Sequence, residues 1–344
     1  MKVGLIGLRG AGKTTIFNML TGLQAPLGGF GGKEEIHLGV IKVPDRRIDR
    51  LSQIFKPKKT IYAEIRFTDF PPNQGDDNHK SYQVLVAQMR EVDAIGLVLR
   101  DFGGDANPLR ELNELLTEMI LADLAVVENR RNRLRKEKAR PLEEALLERC
   151  AQALENEESL RSVTLTADEE NLASGFGFLS RKPLLAIFNQ AEDKAGIPLD
   201  ESYREALGKL KLGGLGLAGK AELEIAQLDE ADRADFLKEI GIAEPARDRF
   251  IRASYALLDL ISFFTTGEDE VRAWTIGQGT MAKAAAGKIH SDIERGFIRA
   301  EVIAYDDFIA HGSEARCKEA GKLRLEGKEY VIKDGDIVHF RFAI

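Results

Sequence analysis

The sequence has few cysteines and no long apolar run. Its two cysteines, Cys150 and Cys317, lie far apart and in different predicted modules. This spacing indicates neither a disulfide framework nor a thiolate metal site, so both are expected to be reduced thiols. No stretch approaches the roughly twenty apolar residues that span a bilayer. Glycine and arginine interrupt the opening "MKVGLIGLRG" before a signal-peptide core forms. We therefore expect a cytoplasmic protein.

The sequence also lacks a histidine pattern typical of a metal or catalytic site, and its net charge is not positive. No ligand spacing is present among the histidines, which are His37, His79, His290, His311 and His339. No serine lies in a nucleophile-elbow pattern. The net charge of -7 argues against a general nucleic-acid binder but is compatible with a local basic patch. The 344 residues, of which 44% are hydrophobic and 31% charged, suit a globular protein of two or three domains.

Strand-like apolar runs alternate with helical or loop stretches in the first part of the chain and again near residue 183. These runs are "KVGLIGL" (2–8), "IRFTDF" (65–70), "AIGLVLRDF" (94–102) and "PLLAIF" (183–188). Such alternation predicts an α/β fold, with a parallel sheet and crossover helices.

A helical segment interrupts this alternation. Apolar residues from Leu112 to Val127 recur at three- and four-residue spacing, which predicts one face of a long helix. Pro141 then begins a second helical stretch, and the pair predicts an inserted helical hairpin. Residues 130–140 at its tip hold seven basic residues and one acidic residue. Such a run is either a solvated helix face or an RNA contact, and the sequence leaves both open.

The composition changes again after residue 265. "VRAWTI" and "FIRAEVIAYDDF" are typical of strands, "GTMAKAAAGKIHSDI" of a short helix, and "KEYVIKDGDIVHFRF" of a hairpin turned at Asp334-Gly335. We therefore predict a mixed α/β terminal domain at 266–344. The other predicted domains are a nucleotide-binding domain at 1–109 plus 181–265 and an inserted helical arm at 110–180.

The stretch "GLRGAGKTT" (7–15) fits the phosphate-loop pattern GxxxxGK[ST], between a predicted strand and a predicted helix. Gly7, Gly10 and Gly12 let the backbone curl so that successive N–H groups point at one anion. Lys13 is then expected to reach the terminal phosphates, and the Thr14 hydroxyl to ligate magnesium. The sequence therefore predicts a magnesium–nucleotide site.

Two further motifs supply the expected metal and base contacts. Asp69 ends "IRFTD" and is expected to hold a metal-bound water, although capping of the following turn is an alternative role. In "AIFNQAED", Asn189 is expected to pin its loop to the phosphate loop, and Glu192 to face the purine edge. The predicted nucleotide contacts are Arg9, Gly10, Ala11, Gly12, Lys13, Thr14, Thr15, Asn189 and Glu192, and the predicted metal ligands are Thr14 and Asp69.

On these residues the chain resembles the YchF family of Obg-like ATPases. The resemblance is densest from "FFTTGEDEVRAW" to "GDIVHFRF" (263–342), and "REVDAI", "EMILADL" and "VPDRRIDRL" are similar to further family signatures. It implies a P-loop NTPase sheet domain, an inserted coiled-coil arm and a C-terminal ubiquitin-like β-grasp domain of the TGS type. It also implies magnesium-dependent nucleotide binding, association with ribosomes or translation, and hydrolysis of ATP in preference to GTP.

The base motif differs from that of a typical GTPase. Where GTPases have Asn-Lys-x-Asp, this chain has Asn189-Gln190-Ala191-Glu192, similar to the family's Asn-x-x-Glu. The extra methylene shifts the acceptor pair by on the order of 1.5 Å, which removes guanine's fitted partner. The preference for adenine is implied by the resemblance alone, so ATP and GTP both stay open as ligands.

The second switch departs from the family pattern. Asp69-Phe70-Pro71-Pro72 stands where the family resembles GTPases in having Asp-x-x-Gly. Pro72 has no N–H to donate to the γ-phosphate, and its ring fixes φ. Gln74 lies one residue beyond the position of a glutamine that would orient the attacking water.

The first switch departs as well. Lys33 or Glu34 stands near the place of the family's magnesium-binding threonine. A charged lysine cannot ligate a cation, and Glu34 could do so only with a different geometry. We therefore expect slow or impaired hydrolysis, which leaves the chain at most a weak nucleoside triphosphatase. The alternative is a non-catalytic adaptor in which nucleotide is a structural ligand and the arm and terminal domain bind RNA or protein.

Overall fold

The computed structural model of the chain describes residues 1–26, 36–71, 85–137 and 140–343. Its strands are β1 (Lys2–Ile6), β2 (His37–Lys42), β3 (Lys59–Ile61), β4 (Glu64–Asp69), β5 (Ala94–Asp101), β6 (Leu184–Gln190), β7 (Gly213–Leu217), β8 (Leu260–Thr265), β9 (Glu270–Gly277), β10 (Phe297–Ala304), β11 (Arg324–Glu326) and β12 (Asp336–Phe342). Its helices are α1 (Lys13–Thr21), α2 (Arg46–Phe55), α3 (Pro108–Leu134), α4 (Pro141–Glu155), α5 (Ala167–Ser174), α6 (Glu201–Leu210), α7 (Gly219–Ala226), α8 (Glu230–Glu239), α9 (Ala246–Leu257), α10 (Ala282–Ile289), α11 (Ser291–Arg295), α12 (Tyr305–His311) and α13 (Glu314–Glu319).

The chain divides into two compact units. One contains Met1–Val40 and Arg66–Ala253, and the other contains Ile41–Ile65 and Ser254–Ile344. The sequence-based division put residues 41–65 and 254–265 in the nucleotide-binding domain, whereas their contacts group them with the carboxy-terminal unit. In the part of the chain that is described, no helix is both long and apolar enough to cross a membrane.

The first unit is built on a six-stranded sheet in the order β2-β4-β1-β5-β6-β7. Strand β1 runs parallel to β4 and β5, β5 to β6, and β6 to β7. Strands β5 and β6 are buried along almost their whole length, as expected for parallel strands covered on both faces. The predicted α/β fold is confirmed. Because the strands are parallel, the carboxyl ends of β4, β5 and β6 lie at one edge of the sheet, where such folds bind ligands.

The predicted helical hairpin is present as α3 and α4. These helices pack around a core of their own that includes Val127, Leu134, Leu146 and Cys150. The middle of α3 is fixed by Asp123, which is fully buried. Its carboxylate accepts hydrogen bonds from the backbone nitrogens of Leu179 at 3.0 Å and Ser180 at 2.7 Å, and from Arg90 Nη1 at 3.0 Å.

The second unit contains a sheet in the order β11-β10-β12-β8-β9-β3. Strands β8 and β12 lie side by side and parallel at its centre, with antiparallel partners β9 and β10 outside them. Helix α10 buries Ala282, Ala285 and Ala286 in the core of this unit. This arrangement is consistent with the predicted β-grasp fold. Strand β3, from the segment 41–65, adds a parallel edge to β9.

Two details of the terminal domain were predicted wrongly. "FIRAEVIAYDDF" is a strand only as far as Ala304, after which helix α12 begins. "KEYVIKDGDIVHFRF" is not a hairpin, because β12 pairs with β10 and β8. The segment before β12 is held as a turn instead: the Tyr330 hydroxyl and the Lys333 backbone nitrogen donate to the Asp336 carboxylate at 2.8 and 2.9 Å.

Candidate functional site

The loop between β1 and α1 has the backbone shape that its glycines predict. Gly10 and Gly12 have φ of 83° and 79°, in the left-handed region that favours glycine. At Gly7 the limit is space, since a Cβ there would lie 2.5 Å from the carbonyl oxygen of Val98. The first N–H groups of α1 have no acceptor within the helix and lie at the positive end of its dipole. The loop is therefore shaped to bind an anion.

Lys13, Thr14 and Asp69 meet at the start of α1. The register of β4 on β1 places Asp69 beside Leu5, at the edge from which the loop departs. Lys13 Nζ donates to Asp69 Oδ1 at 2.8 Å, and Thr14 Oγ1 donates to Asp69 Oδ2 at 3.0 Å. Lys13 and Asp69 are both buried. Among the described residues, the Asp69 carboxylate is thus engaged by side chains of the phosphate loop.

His37 also reaches this cluster and was absent from the predicted site. It begins β2, and its Nδ1 lies 3.4 Å from Asp69 Oδ2. Its ring lies 6.1 Å from that of Phe17, centroid to centroid. No local motif marks this residue, because it is the order of β2 and β4 in the sheet that brings it to the site.

The side-chain oxygen atoms at this position are suitable ligands for a magnesium ion. The Thr14 hydroxyl and the Asp69 carboxylate lie side by side, and hard oxygen ligands are those that magnesium takes. Magnesium usually keeps several waters and uses one or two protein oxygens plus phosphate, so a larger acidic cluster is unnecessary. Within the described ranges, no group of three or more His, Cys, Asp or Glu residues forms another candidate metal centre.

Asn189 links three loops at the carboxyl edge of the sheet. Its Nδ2 donates to the carbonyl of Ala11 at 2.9 Å, and its Oδ1 accepts from the backbone nitrogen of Gly219 at 3.2 Å. Gly219 begins α7 and was not predicted as part of the site. The available signal was its position directly after an apolar run, in "LGLAGK".

The remaining predicted contacts lie around this framework. Arg9 and Gly10 are exposed at the top of the loop, Ala11 is buried, and Thr15 is half-buried. Glu192 begins a short 3-10 turn, Glu192–Lys194, and is exposed. The structure thus brings Lys13, Thr14, Asp69 and Asn189 together, and leaves Glu192 in solvent. The switch residues Lys33, Glu34, Pro72 and Gln74 lie outside the described residues.

The glycine loop before α1, the aspartate that ends the neighbouring strand and the asparagine after β6 define a P-loop protein of the GTPase type. The family model YchF-GTPase_C, described as "Protein of unknown function (DUF933)", matches residues 260–343. The chain belongs to the YchF family, as its sequence predicts.

Full-length relatives establish this membership. A Pasteurella multocida protein named "Ribosome-binding ATPase YchF" is 40% identical over 364 residues, which cover 100% of this chain and 99% of the relative. A Bacillus subtilis protein of the same name is 38% identical over 370 residues, with 100% of both chains covered. The solved structure of the Schizosaccharomyces pombe YchF GTPase has a TM-score of 0.84 at 28% identity, with 99% of this chain and 97% of that one covered.

Proposed function

We propose that the chain binds the magnesium complex of ATP, or of GTP, at the loop of residues 7–15. The observation that carries this proposal is the meeting of Lys13, Thr14 and Asp69 at the amino end of α1. Lys13 would exchange its Asp69 partner for phosphate oxygens, and the loop N–H groups would hold the rest of the anion. Thr14 and Asp69 would hold magnesium, which when bound neutralises phosphate charge.

The proposed base site is the loop after β6. Asn189 fixes the start of this loop to the phosphate loop through Ala11. Glu192 is exposed three residues further on, where its carboxylate can accept N–H groups of a purine. The remaining proposed nucleotide contacts are Arg9, Gly10, Ala11, Gly12 and Thr15.

We propose that hydrolysis at this site is slow. The support is chemical, because Pro72 has no N–H where a γ-phosphate sensor would donate one. Loss of a single transition-state donor lowers a rate by roughly a hundredfold or more. In the first switch, Lys33 cannot ligate magnesium while it is charged, and Glu34 could do so only with a geometry different from that of a threonine.

Ribosome association is the second part of the proposed function. The Pasteurella and Bacillus relatives are named ribosome-binding ATPases, and we extend that property to this chain. The helical arm offers a basic surface, although part of its charge is neutralised. Arg130 pairs with Glu137 and Glu143.

Three basic side chains in the described part of the arm are available to contact the phosphate backbone of RNA. Arg133, Arg135 and Lys136 are exposed. Within the described part of the arm, none of the three has an ion-pair partner. We therefore assign the proposed RNA contact to these residues rather than to the whole stretch 130–140.

Calorimetry with ATP and GTP, beside a long phosphate-release assay with and without ribosomes, tests the proposal. We expect tight binding of one or both magnesium nucleotides and slow release. Binding with no release under either condition would favour the adaptor. Absence of binding to both nucleotides would refute the proposal.

A further inference from the structure

A buried carboxylate lies beside the proposed base site and belongs to no predicted motif. Asp101 ends β5, is paired in register with Gln190 of β6, and is only 5% exposed. Burial of a carboxylate is unfavourable unless donors compensate for the lost water. The donors are present. Lys194 Nζ lies 3.2 Å from both carboxylate oxygens, the Tyr203 hydroxyl donates at 3.0 Å, and Gln190 Nε2 donates at 3.3 Å.

Tyr203 holds this cluster against the sheet. Its ring stacks on Phe188 of β6 with centroids 4.7 Å apart. Burial, together with the hydrogen bond to Asp101, raises the pKa of Tyr203 to about 12. The phenol therefore stays protonated and remains a donor to Asp101 throughout the physiological pH range.

The hydrogen bond made by Asn189 and the ion pair made by Asp101 lie at the two ends of the loop that contains Glu192. At one end, Asn189 is bonded to the phosphate loop. At the other end, Lys194 closes the short turn that Glu192 begins, and its ammonium is held by Asp101. The loop between these two ties is fixed at both ends, while Glu192 itself projects into solvent.

A second carboxylate competes for the same ammonium. Asp200 Oδ2 lies 3.8 Å from Lys194 Nζ and is largely exposed, so it offers a weaker, solvent-screened partner. Without the charge on Asp101, Lys194 is free to turn toward Asp200, and the turn at 192–194 loses its anchor. The buried Asp101 is thus the stronger of the two carboxylate partners of Lys194.

We propose that Asp101 is a positioning residue for purine recognition: by holding Lys194, it fixes the loop that presents Glu192 to the base, without touching the nucleotide. This inference rests on the proposed function, because it assigns the means by which the base site keeps its shape. It assigns no role to Asp101 in binding phosphate, which is held by the separate loop at 7–15. The contributions of the purine base and of the phosphates to the binding affinity can therefore be measured separately.

The test compares Asp101→Asn with the wild-type chain by calorimetry, with magnesium complexes of ATP, GTP and inorganic tripolyphosphate. Asparagine keeps the size of the side chain and an acceptor for Tyr203 but loses the charge that holds Lys194. We expect affinity for the purine nucleotide that the wild type prefers to fall about tenfold, as for loss of one charge-assisted contact. Affinity for tripolyphosphate should change less than about twofold.

Three further variants sharpen the result. Lys194→Met should reproduce the fall in purine affinity, and the double variant should add little to it, because both changes break one interaction. The single variant Lys194→Met also keeps the test decisive if Asp101→Asn does not fold. The matched control is Glu201→Gln, which removes an exposed carboxylate paired with Arg204 on α6 and should leave all three affinities unchanged.

The outcomes separate this inference from the proposed function. A wild-type chain that binds neither nucleotides nor tripolyphosphate would refute the proposed function. A wild-type chain that binds nucleotide no more tightly than tripolyphosphate would refute the proposed base site, and the positioning role with it. Asp101 and Lys194 variants that keep purine affinity, or that lose purine and tripolyphosphate affinity equally, would overturn the positioning role alone.

Discussion

The amide nitrogen of Asn189 lies so close to Gly12 that a Cβ on that glycine would be 2.1 Å from it. The same nitrogen donates to the carbonyl of Ala11. Gly12 also has φ of 79°, a conformation that other residues adopt only with strain. Two independent constraints therefore require glycine at this position, and one of them comes from the distant loop after β6.

We predict that Gly12→Ala destabilises the fold by about 1 to 3 kcal/mol and lowers nucleotide affinity at least about tenfold. The Cβ must displace Asn189, which would disturb both the phosphate loop and the base loop. Urea unfolding and calorimetry measure the two effects. Gly208→Ala is the control: it lies in helix α6 with open space at its Cβ position, and should stabilise by about 0.5 to 1 kcal/mol.

Lys13→Ala should abolish the thermal stabilisation that magnesium nucleotide gives to the wild-type chain. At a ligand concentration about 100 times Kd, that stabilisation amounts to about 2.7 kcal/mol. The measurement is Tm with and without ATP and magnesium. Lys209→Ala, on the exposed side of α6, should keep the full shift. An equal shift in Lys13→Ala and wild type would contradict the role given to the phosphate loop.

Pro72→Gly should raise the rate of phosphate release, by up to about a hundredfold, because it restores an N–H where the γ-phosphate sensor is expected. Single-turnover release, measured with the protein in excess over nucleotide and above Kd, isolates this effect from binding. Pro71→Gly, one residue earlier, is the matched control and should leave the rate near that of the wild type. A Pro72→Gly rate equal to wild type would show that the proline is not what slows hydrolysis.

The arm should lose stability in acid through Glu143. Its hydrogen bond from Arg130 lowers the pKa of Glu143 below the ordinary value for a carboxyl group. A lowered folded-state pKa contributes stability above the ordinary pKa, and this contribution is lost as pH falls through the folded-state value. Glu143→Gln should therefore cost up to about 1 kcal/mol near neutral pH.

The pH series of that variant is the diagnostic measurement. The difference in unfolding free energy between wild type and Glu143→Gln should shrink as pH falls through the folded-state pKa of Glu143, which lies below the ordinary carboxyl value, because the wild-type carboxylate is then protonated as well. Glu144→Gln removes an exposed neighbour and should show little difference at any pH. A difference that persisted unchanged in acid would mean that packing, and not charge, is responsible.

Ribosome or RNA binding should depend on the unpaired basic residues of the arm. Arg133→Ala with Arg135→Ala should weaken association and lower the slope of log K against log salt by about 1 to 2. The control pair is Lys209→Ala with Lys238→Ala, which removes the same charge from exposed sites on α6 and α8. Equal losses for the two pairs would indicate a general charge effect and not a contact at the arm.

What the sequence predicted was local. The phosphate loop, the strand ending at Asp69 and the long helix with its restart at Pro141 each follow from residues close in sequence. The role of Asp101 did not, because its donors Lys194 and Tyr203 come from elements about a hundred residues away along the chain. Only the pairing of β5 with β6 brings them together.

The same limit explains the false hairpin and why strand β3 was not predicted. The residues of "KEYVIK" alternate between polar and apolar as those of a strand do. A hydrogen bond from the Lys333 backbone nitrogen to the Asp336 carboxylate stabilises a turn there instead. Strand β3 is three residues long and has no pattern of its own, since its position is set by pairing with β9. Periodicity reports which face of a segment is apolar and cannot report which distant partner the segment meets.

Residues 41–65 belong to the carboxy-terminal unit, and this has a consequence for the gene. Within that unit, Phe55 stacks on Phe308 with ring centroids 5.3 Å apart, and Arg47 Nη1 donates to Asp334 at 2.7 Å. The unit is thus encoded by two separate stretches of the gene. A single crossover cannot transfer this unit without residues 66–253 of the other unit. A gene fragment that begins at residue 266 would encode a product without β8 and without the Phe55 ring that stacks on Phe308.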